Sequence, residues 1–585
     1  MPDSLRVLGR ARTRLRALRD AHPAAARALR RTVHVLAAVL VVGALLLPNS
    51  ASALRPNRFT GIPAEAIIGA VLLLALPRRP RIVVAALYGA GLGVLTVLNL
   101  LDIGFTEYLG RGFNIVLDWG LLDDALSYVE DSMGGTAATA AAVGAVLLAL
   151  LVVVLMALAT VRLGHLLARH RAHATRGALI AGTVWITCTA LGLQIAGVPV
   201  ASDRAAGAVK GQTERVVNTL RDEAAFAKEA RADTFGATPP GRLLPDLRGK
   251  DVVIAFIESY GRSAVEDPAI AAGVTRTLDA RTAALARAGY RARSGWLTSA
   301  TYGGSSWLGH STALSGLWID NQQRYRTVTN GDRLTLTKAF RKTGAWDTVG
   351  IMPGVRKAWP EAEWYGLDRV YDANELGYRG PKFSWSTMPD QYALEAFERL
   401  EHGRKHDRPL MSEIILTSSH QPWAPIPELV DWEDLGDGSV FDAVQKAGKK
   451  SSDVIADSAA SRREYGRSIQ YSVTSLTQWL ERYGTDDTVL VFLGDHQPIA
   501  RVSGHGASRD VPVTIVAKDP EVLAKTDGWN WTEGLRPAKD APVWRMSSFR
   551  DRFLTAFGSV PRTPPGADQP PEVSSSASSP TPAQS

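Results

Sequence analysis

Residues 488–498 read Thr-Val-Leu-Val-Phe-Leu-Gly-Asp-His-Gln-Pro, and this stretch decides how the second half of the chain folds. Its apolar, β-branched start predicts a strand that is buried on both faces, and polar groups follow where that strand ends. Residues 251–259, Asp-Val-Val-Ile-Ala-Phe-Ile-Glu-Ser, have the same design. Because ligand-binding groups gather at the carboxyl ends of the strands in such sheets, we expect the two strand ends to meet.

Strand-like and helix-like segments alternate between residues 251 and 560. The further strand-like segments are residues 346–351, 410–416 and 511–516, and the helix-like segments are residues 307–314, 335–342, 389–402 and 462–482. This alternation predicts an α/β domain with a mainly parallel sheet over residues 251–560.

The first part of the chain contains five apolar runs, at residues 33–47, 67–76, 82–101, 138–158 and 178–200. The last three have the roughly 20 residues that a helix needs to cross the hydrocarbon core of a membrane. The first two are shorter but extend through tolerable flanks. We therefore expect a multi-span membrane domain of five helices over residues 33–201. Charged residues are almost missing from the runs, which favours an anchor over a transporter.

Basic and acidic segments alternate along this membrane domain. Residues 1–32 form a basic arm with nine arginines and two aspartates, which accounts for most of the formal net charge of +8. The segments after the second and fourth runs are also basic, whereas the segment after the third run is rich in Asp and Glu. Because basic loops stay in the cytoplasm, we expect a cytoplasmic N-terminus, a multi-pass protein of the cell membrane, and an extracytoplasmic chain after residue 201. The basic arm is thus a topogenic signal and does not indicate nucleic-acid binding.

Two polar segments flank the predicted α/β domain. Residues 202–250 are charged and Ala-rich, and residues 205–232 are expected to form an exposed amphipathic helix, so we interpret the whole segment as a stalk. Residues 561–585 are Pro/Ser-rich without apolar periodicity and predict a disordered tail. The single cysteine, Cys188, lies in an apolar run, so the soluble part has no cysteine nucleophile.

Carboxylates, hydroxyls and an imidazole follow the predicted strands. Glu258 ends the first strand, and Asp495 and His496 follow a later one. Between them, a Gly-Gly-Ser-Ser turn that contains Ser306 precedes a predicted helix. Each of these motifs, taken alone, is compatible with an ordinary structural role, such as a helix cap. Together, the oxygen and nitrogen donors of Glu258, Asp495 and His496 suit one divalent metal ion, Mn²⁺ or Zn²⁺.

The order of these motifs resembles the sulfatase/alkaline phosphatase superfamily: Glu258-Ser259, a hydroxyl at a helix start, Ser419-His420, and Gly494-Asp495-His496. The chain is most similar to the lipoteichoic acid synthase and phosphoethanolamine transferase branch of membrane enzymes, which also has five spans and an outward catalytic domain. The resemblance covers residues 33 to about 558. It implies an alkaline-phosphatase-like catalytic domain with these metal ligands: Glu258, Ser306, Asp495 and His496. It also implies that His420 and His505 contact the phosphate or the leaving group.

The sequence offers more than one candidate for the attacking hydroxyl. Counting back from the small-residue turn at residues 311–316 favours Ser306, while Ser305, Thr301 and Thr312 stay open. Many relatives use threonine at this place, so a serine departs from the common pattern. A second departure is residues 352–354, Met-Pro-Gly, where those synthases often have a histidine.

The resemblance implies a reaction as well as a fold. A phospho-headgroup, phosphoglycerol- or phosphoethanolamine-like, would move from a membrane lipid donor to an envelope glycan or lipid acceptor through a phosphoserine intermediate. No ATP is present outside the membrane, so a lipid in the same leaflet is the natural donor. Phosphomonoester or phosphodiester hydrolysis and a non-catalytic membrane sensor are the alternatives.

The sequence disfavours two other classes of hydrolase. It does not indicate an oligomeric state. Formylglycine sulfatases need a proline and an arginine after the modified residue, and residues 306–310, Ser-Trp-Leu-Gly-His, lack both. A serine hydrolase triad is disfavoured because no G-x-S-x-G elbow surrounds Ser306.

We expect a reporter that works only outside the cytoplasm to be active when it is fused after Val200, because the alternating loop charges place that point outside. The same reporter fused after Arg79, in a basic segment, is the control and should be inactive. Activity at Arg79, or a cytoplasmic reporter that works only at Val200, would contradict the predicted orientation.

Overall fold

The computed structural model describes residues 21–195, 197–357 and 359–562, and these form two compact units. The first unit takes the described residues up to Glu107 together with residues 111–217. The second unit takes residues 108–110 and the described chain from Asn218 onwards. The predicted Pro/Ser-rich tail lies outside the described residues, except for residues 561 and 562.

The first unit is helical. The helices that lie or begin in it are α1 (Pro23–Leu46), α2 (Ala64–Ala75), α3 (Arg78–Leu109), α4 (Trp119–Met133), α5 (Gly135–Arg169), α6 (Arg171–Ala190) and α7 (Arg204–Arg231). Among the described residues, α1, α3 and α5 are the three helices that are long and apolar enough to cross a membrane. Many of their large apolar side chains are exposed, which is typical of helices that face lipid.

The predicted count of five spanning helices is not confirmed. The second apolar run forms α2, which at 12 residues is shorter than a span. The fifth run begins inside α6, but this helix ends at Ala190. The chain then turns at Gly192, whose φ of +61° is typical of a residue that follows a helix end, and enters a short hairpin of Gln194–Ile195 with Val198–Pro199.

The second unit contains one mixed sheet of nine strands. In chain order they are β1 (Asp251–Ile257), β2 (Arg291–Thr298), β3 (Asp347–Met352), β4 (Arg369–Asp372), β5 (Leu410–Leu416), β6 (Thr488–Gly494), β7 (Asp510–Ala517), β8 (Thr532–Glu533) and β9 (Val543–Arg545). Across the sheet the order is β8-β2-β7-β6-β1-β5-β3-β4, and β9 pairs with β2. The strands from β6 to β4 are parallel, whereas β7 is antiparallel to β6 and to β2. The α/β prediction is confirmed, with a sheet that is not purely parallel.

Helices cover both faces of this sheet, because alternate strand residues point to opposite sides. The helices of at least eight residues are α8 (Ala271–Arg287), α9 (Ser306–Ser315), α10 (Gln322–Thr329), α11 (Leu336–Thr343), α12 (Asp390–Phe397), α13 (Ser458–Tyr483) and α14 (Phe549–Ala556). Shorter helical segments are Ser263–Glu266, Ala362–Tyr365, Phe441–Ala447, Ser451–Ala456, Ala500–Ser503 and Pro520–Ala524. Residues of α9, α10, α11 and α14 pack in the core on one face, and residues of α8, α12 and α13 pack in the core on the other.

The segment predicted as a stalk belongs in large part to the second unit. The helix expected at residues 205–232 is α7, but from Asn218 the chain is part of the second unit. Apolar residues of this segment are buried in its core, namely Phe226, Phe235, Leu243, Leu244 and Leu247. They are spaced too irregularly within a polar stretch to give a periodic pattern, which is why the sequence indicated an exposed linker.

A buried ion cluster joins this segment to the last helix. Arg550 donates a hydrogen bond of 3.0 Å to Asp233 Oδ1, and Arg333 Nε lies 3.7 Å from Asp233 Oδ2. Burial alone would raise the pKa of Asp233, but the two arginines lower that pKa below its usual value. Arg333 also donates to the Ser315 carbonyl and Arg550 to the Leu334 carbonyl, so the cluster ties several segments together.

We expect Asp233→Asn to destabilise the protein by about 3 kcal/mol, because it leaves the buried Arg333 without a carboxylate and leaves Arg550 with Asp551 as its one remaining acidic partner among the described residues. Asp279→Asn is the control, since it removes only an exposed pair with Arg536 and should cost less than about 0.5 kcal/mol. Thermal unfolding of the full-length protein in detergent measures both changes. Equal losses in the two variants would contradict the structural role of the cluster.

Candidate metal centre

The pairing of β1 with β6 brings the strand-end residues together. The two strands are neighbours and parallel, with Ile257 opposite Gly494. The next residue of each chain segment, Glu258 and Asp495, therefore leaves the sheet at the same place. His496 follows directly, and ligand atoms of Glu258, Asp495 and His496 lie within 4.8 Å of one another. The structure thus assembles the three residues that the sequence pattern singled out.

Ser306 completes this cluster from the start of α9. Its Oγ donates a hydrogen bond of 2.7 Å to Glu258 Oε2 and lies 3.1 Å from His496 Nε2. His496 Nε2 in turn lies 3.3 Å from Glu258 Oε1 and 3.8 Å from Asp495 Oδ2. One hydroxyl, two carboxylates and one imidazole nitrogen therefore face a common centre.

Hydrogen bonds outside the cluster orient its side chains. His496 Nδ1 donates to the Gln497 carbonyl at 2.8 Å, which leaves Nε2 to face the cluster. Asp495 Oδ1 accepts from the backbone amides of Ser259 and His496, each at 2.7 Å. Ser259 Oγ donates to Glu258 Oε1 at 2.9 Å. Each side chain is thus fixed with one ligand atom turned inward.

The residues fit a divalent cation. Asp495 Oδ2 is buried and has no hydrogen-bond partner, which is costly unless a cation satisfies it. The donors are carboxylate oxygens, a hydroxyl and an imidazole nitrogen, a set that suits Zn²⁺ or Mn²⁺. These four side chains could therefore hold the metal ion that the sequence predicted.

Without the metal, the His496 imidazolium balances the two carboxylates. Burial lowers the pKa of His496, but Asp495 and Glu258 outweigh this effect and raise it to about 9. Burial likewise acts to raise the pKa of Glu258, but the charge of His496 lowers that pKa well below its usual value. A metal ion that enters this site therefore has to displace a proton from His496.

The start of α9 approaches Asp495 closely. Ser305 has a φ of +63°, and Ser306 is the first helical residue. A Cβ at Gly309 would lie 2.8 Å from the Asp495 carbonyl oxygen, so only glycine lets the helix come this near. The Gly303 amide donates to the Gln497 carbonyl at 2.9 Å, which holds the turn against the chain after β6.

The other candidate hydroxyls are placed differently. Thr312 Oγ1 donates to the Leu308 carbonyl at 2.6 Å and accepts from the Ile319 amide at 3.1 Å, so it acts in the packing of α9. Thr301 Oγ1 is buried without a hydrogen-bond partner. Ser306 is the one of the four candidates whose hydroxyl contacts both Glu258 and His496 in the described hydrogen bonds.

His420 lies near the cluster, and its ring is held on two sides. Its Nδ1 lies 2.5 Å from the Gln421 carbonyl, and the Trp385 ring stacks on it with centroids 3.9 Å apart and planes 14° apart. Burial lowers the pKa of His420 below its usual value.

His505 is exposed, in the turn after the short helix that ends at Ser503.

Two residues that the sequence pattern did not single out belong to this site. His310 Nε2 lies 3.6 Å from Asp495 Oδ2, and both atoms are buried without a hydrogen-bond partner. His310 comes four residues after Ser306, a spacing that puts both on one helix face and was the available signal. Trp385 contacts His420 from a loop, and no local pattern marks it.

No family model and no curated protein matches the chain. Among solved structures, it is similar to the lipoteichoic acid synthase LtaP from Listeria monocytogenes, with 15% identity, a TM-score of 0.35, and 54% of this chain and 73% of that chain covered. It is similar to a protein in the alkaline phosphatase superfamily from Vibrio parahaemolyticus, with 18% identity, a TM-score of 0.36, and 60% and 78% covered. A third is the C-terminal periplasmic domain of the phosphoethanolamine transferase EptC from Campylobacter jejuni, with 11% identity, a TM-score of 0.34, and 54% and 90% covered.

At these identities and TM-scores, the likeness does not define the reaction of this chain. The reaction proposed for it therefore rests on the chain's own residues.

We expect Zn²⁺ or Mn²⁺ binding at pH 7 to release about one proton, because His496 is protonated in the metal-free site and must become neutral to bind. Metal affinity should rise about tenfold per pH unit and level off above pH about 9, where His496 is already neutral. Titration calorimetry in buffers of different ionisation enthalpy measures the proton count.

The variant Asp495→Asn should bind the metal much more weakly, and the control Asp487→Asn, an exposed residue, should not change binding. Full metal content in Asp495→Asn, or no proton release by the unchanged protein, would contradict this assignment.

Proposed function

We propose that this chain is a membrane-anchored, metal-dependent phosphotransferase that moves a phosphoglycerol- or phosphoethanolamine-like headgroup from a lipid donor to an envelope glycan or lipid acceptor. The observation that carries the proposal is the position of Ser306 Oγ, at a helix start and within hydrogen-bonding distance of Glu258 and His496. The apolar helices α1, α3 and α5 support membrane anchoring next to a lipid donor. We place the catalytic unit outside the cytoplasm.

The metal ion would be held by Glu258, Asp495, His496 and Ser306. When bound, it would supply positive charge that lowers the pKa of the Ser306 hydroxyl and neutralises phosphate oxygens. The backbone amides of the first turn of α9 add further stabilisation, because the start of a helix favours an anionic group.

The transfer takes two steps on Ser306. In the first, Ser306 Oγ attacks the phosphorus, the bond between phosphorus and the glycerol oxygen of the lipid breaks, and diacylglycerol leaves with the proton that the Ser306 hydroxyl gives up. In the second, an acceptor hydroxyl attacks the phosphoserine, and its proton returns to Ser306. One site thereby serves donor and acceptor in turn.

We assign the proton transfers to His420. Its lowered pKa keeps the ring neutral at neutral pH, and Nδ1 faces the Gln421 carbonyl. Nε2 is therefore the nitrogen that accepts a proton from the attacking hydroxyl and passes it on. The stacked Trp385 holds the ring in this orientation. We expect His505 to contact the phosphate or the leaving group when substrate is present.

We expect Ser306→Ala to lower the rate of diacylglycerol release from a defined phospholipid by about 10³-fold or more, because it removes the attacking atom. Fold and membrane insertion should stay intact, since the side chain is small. Ser305→Ala is the matched control and should be much milder, because no described hydrogen bond joins that hydroxyl to the cluster. Mass spectrometry of the products and of a trapped phosphopeptide measures both rate and site.

A phosphopeptide that carries the phosphate on Ser305, with full activity in Ser306→Ala, would move the nucleophile by one residue. Release of free headgroup phosphate at the same rate with and without acceptor would identify a hydrolase instead of a transferase.

A further inference from the structure

A cavity of about 300 Å³ lies within the first unit, between the chain that follows α1 and the first half of α7. Leu47 and Pro48, just after α1, form an apolar part of its wall. The side of α7 contributes residues three or four positions apart, which share one face of the helix: Arg204, Gly207, Gly211 and Arg215. Arg58 lines the cavity from the segment after α1. No residue of the candidate metal centre takes part.

The arginines that line the cavity outnumber the carboxylates that pair with them. Arg215 is paired with Asp102 at 2.9 Å. Arg204 donates to the backbone carbonyls of Leu46 and Arg58. Neither Arg58 nor Arg204 forms an ion pair among the described residues. Two half-buried guanidinium groups therefore line one small cavity without a carboxylate, an arrangement that their mutual repulsion disfavours unless an anion joins them.

Two glycines of α7 leave part of the cavity wall without side chains. A Cβ at Gly207 or at Gly211 would meet no atom within 4 Å, so the backbone of α7 borders open space there. The volume suits a phosphate together with a glycerol backbone. It is too small to hold the acyl chains of a lipid in addition. Leu47 and Pro48, which line the cavity, come directly after a helix that is apolar enough to cross a membrane.

We infer that this cavity binds the phosphate of a glycerophospholipid. Arg58 and Arg204 face the phosphate oxygens, the glycerol occupies the space beside the two glycines, and the acyl chains lie outside along the apolar helices. Arginine suits this ligand because its planar guanidinium forms paired, charge-assisted hydrogen bonds with phosphate oxygens. The lipid is favoured over a free phosphate because Leu47 and Pro48, which follow directly after the apolar helix α1, form part of the cavity wall. The inference does not depend on the proposed reaction.

Binding is tested on the full-length protein in detergent micelles by native mass spectrometry. The two probes are phosphatidylglycerol and a diglucosyl diacylglycerol with the same acyl chains, which lacks the phosphate. The unchanged protein should retain phosphatidylglycerol in clear preference. Arg58→Gln should weaken this binding about tenfold, the loss of one charge-assisted contact. Gly211→Leu should abolish it by filling the cavity without a clash in the protein.

Two control variants distinguish binding in this cavity from binding elsewhere on the protein. Lys210→Gln removes an exposed cation from the same helix, outside the cavity, and should leave binding unchanged. Asp495→Asn, which disables the candidate metal centre, should also leave it unchanged, so failure of the proposed reaction would not affect this result. Free glycerol phosphate at the lipid concentration should not displace the lipid.

Equal retention of the two lipids would overturn the inference, as would full binding in both Arg58→Gln and Gly211→Leu. A matching loss in Lys210→Gln would show general charge attraction instead of a site. Loss in Asp495→Asn would move the binding to the metal centre, and displacement by glycerol phosphate would identify a soluble ligand.

Discussion

The parallel pairing of β1 with β6 is the constraint on which the rest of the second unit depends. Its register sets Ile257 opposite Gly494, so the next residues, Glu258 and Asp495, leave the sheet side by side. A shift by one residue would turn every side chain of the strand to the opposite face, because side chains alternate along a strand. A Cβ on Gly494 would lie 1.9 Å from the Tyr260 carbonyl oxygen, so the chain after β1 can cross β6 only at a glycine.

Ser259 converts this register into an ordered site. Its backbone is left-handed, with a φ of +57°, so the chain turns sharply after Glu258. Its amide then donates to Asp495, its hydroxyl donates to Glu258, and its carbonyl accepts from the Tyr465 hydroxyl at 2.8 Å. The two carboxylates are held near each other against their repulsion, with His496 as their counter-charge. A metal ion can take over that role because the geometry is already in place.

Two groups of arginines in this protein differ in the partners of their guanidinium groups. Arg333 and Arg550 are buried in the second unit, where Asp233, Asp551 and backbone carbonyls accept their hydrogen bonds. This group has a structural role. Arg58 and Arg204 line a cavity and have no carboxylate partner among the described residues, so an anion from outside can still gain from them. Open volume beside unbalanced charge is what distinguishes a binding site from a structural cluster.

The sequence by itself determined the features that depend on local pattern. The apolar runs of β1 and β6, the polar groups at their ends and the helix start at Ser306 all follow from residues that are neighbours in the chain. Because parallel strands end at one edge, even the meeting of Glu258 with Asp495 and His496 could be predicted. Tertiary structure decided what depends on distant partners. Strand β2 alternates arginine with small residues and is recognisable only through its pairing with β7, and the apolar residues of the expected stalk are scattered until they enter the core. His310 and Trp385 reach the site only because α9 and a loop pack there, and such contacts arise from packing energies that no short stretch of sequence contains.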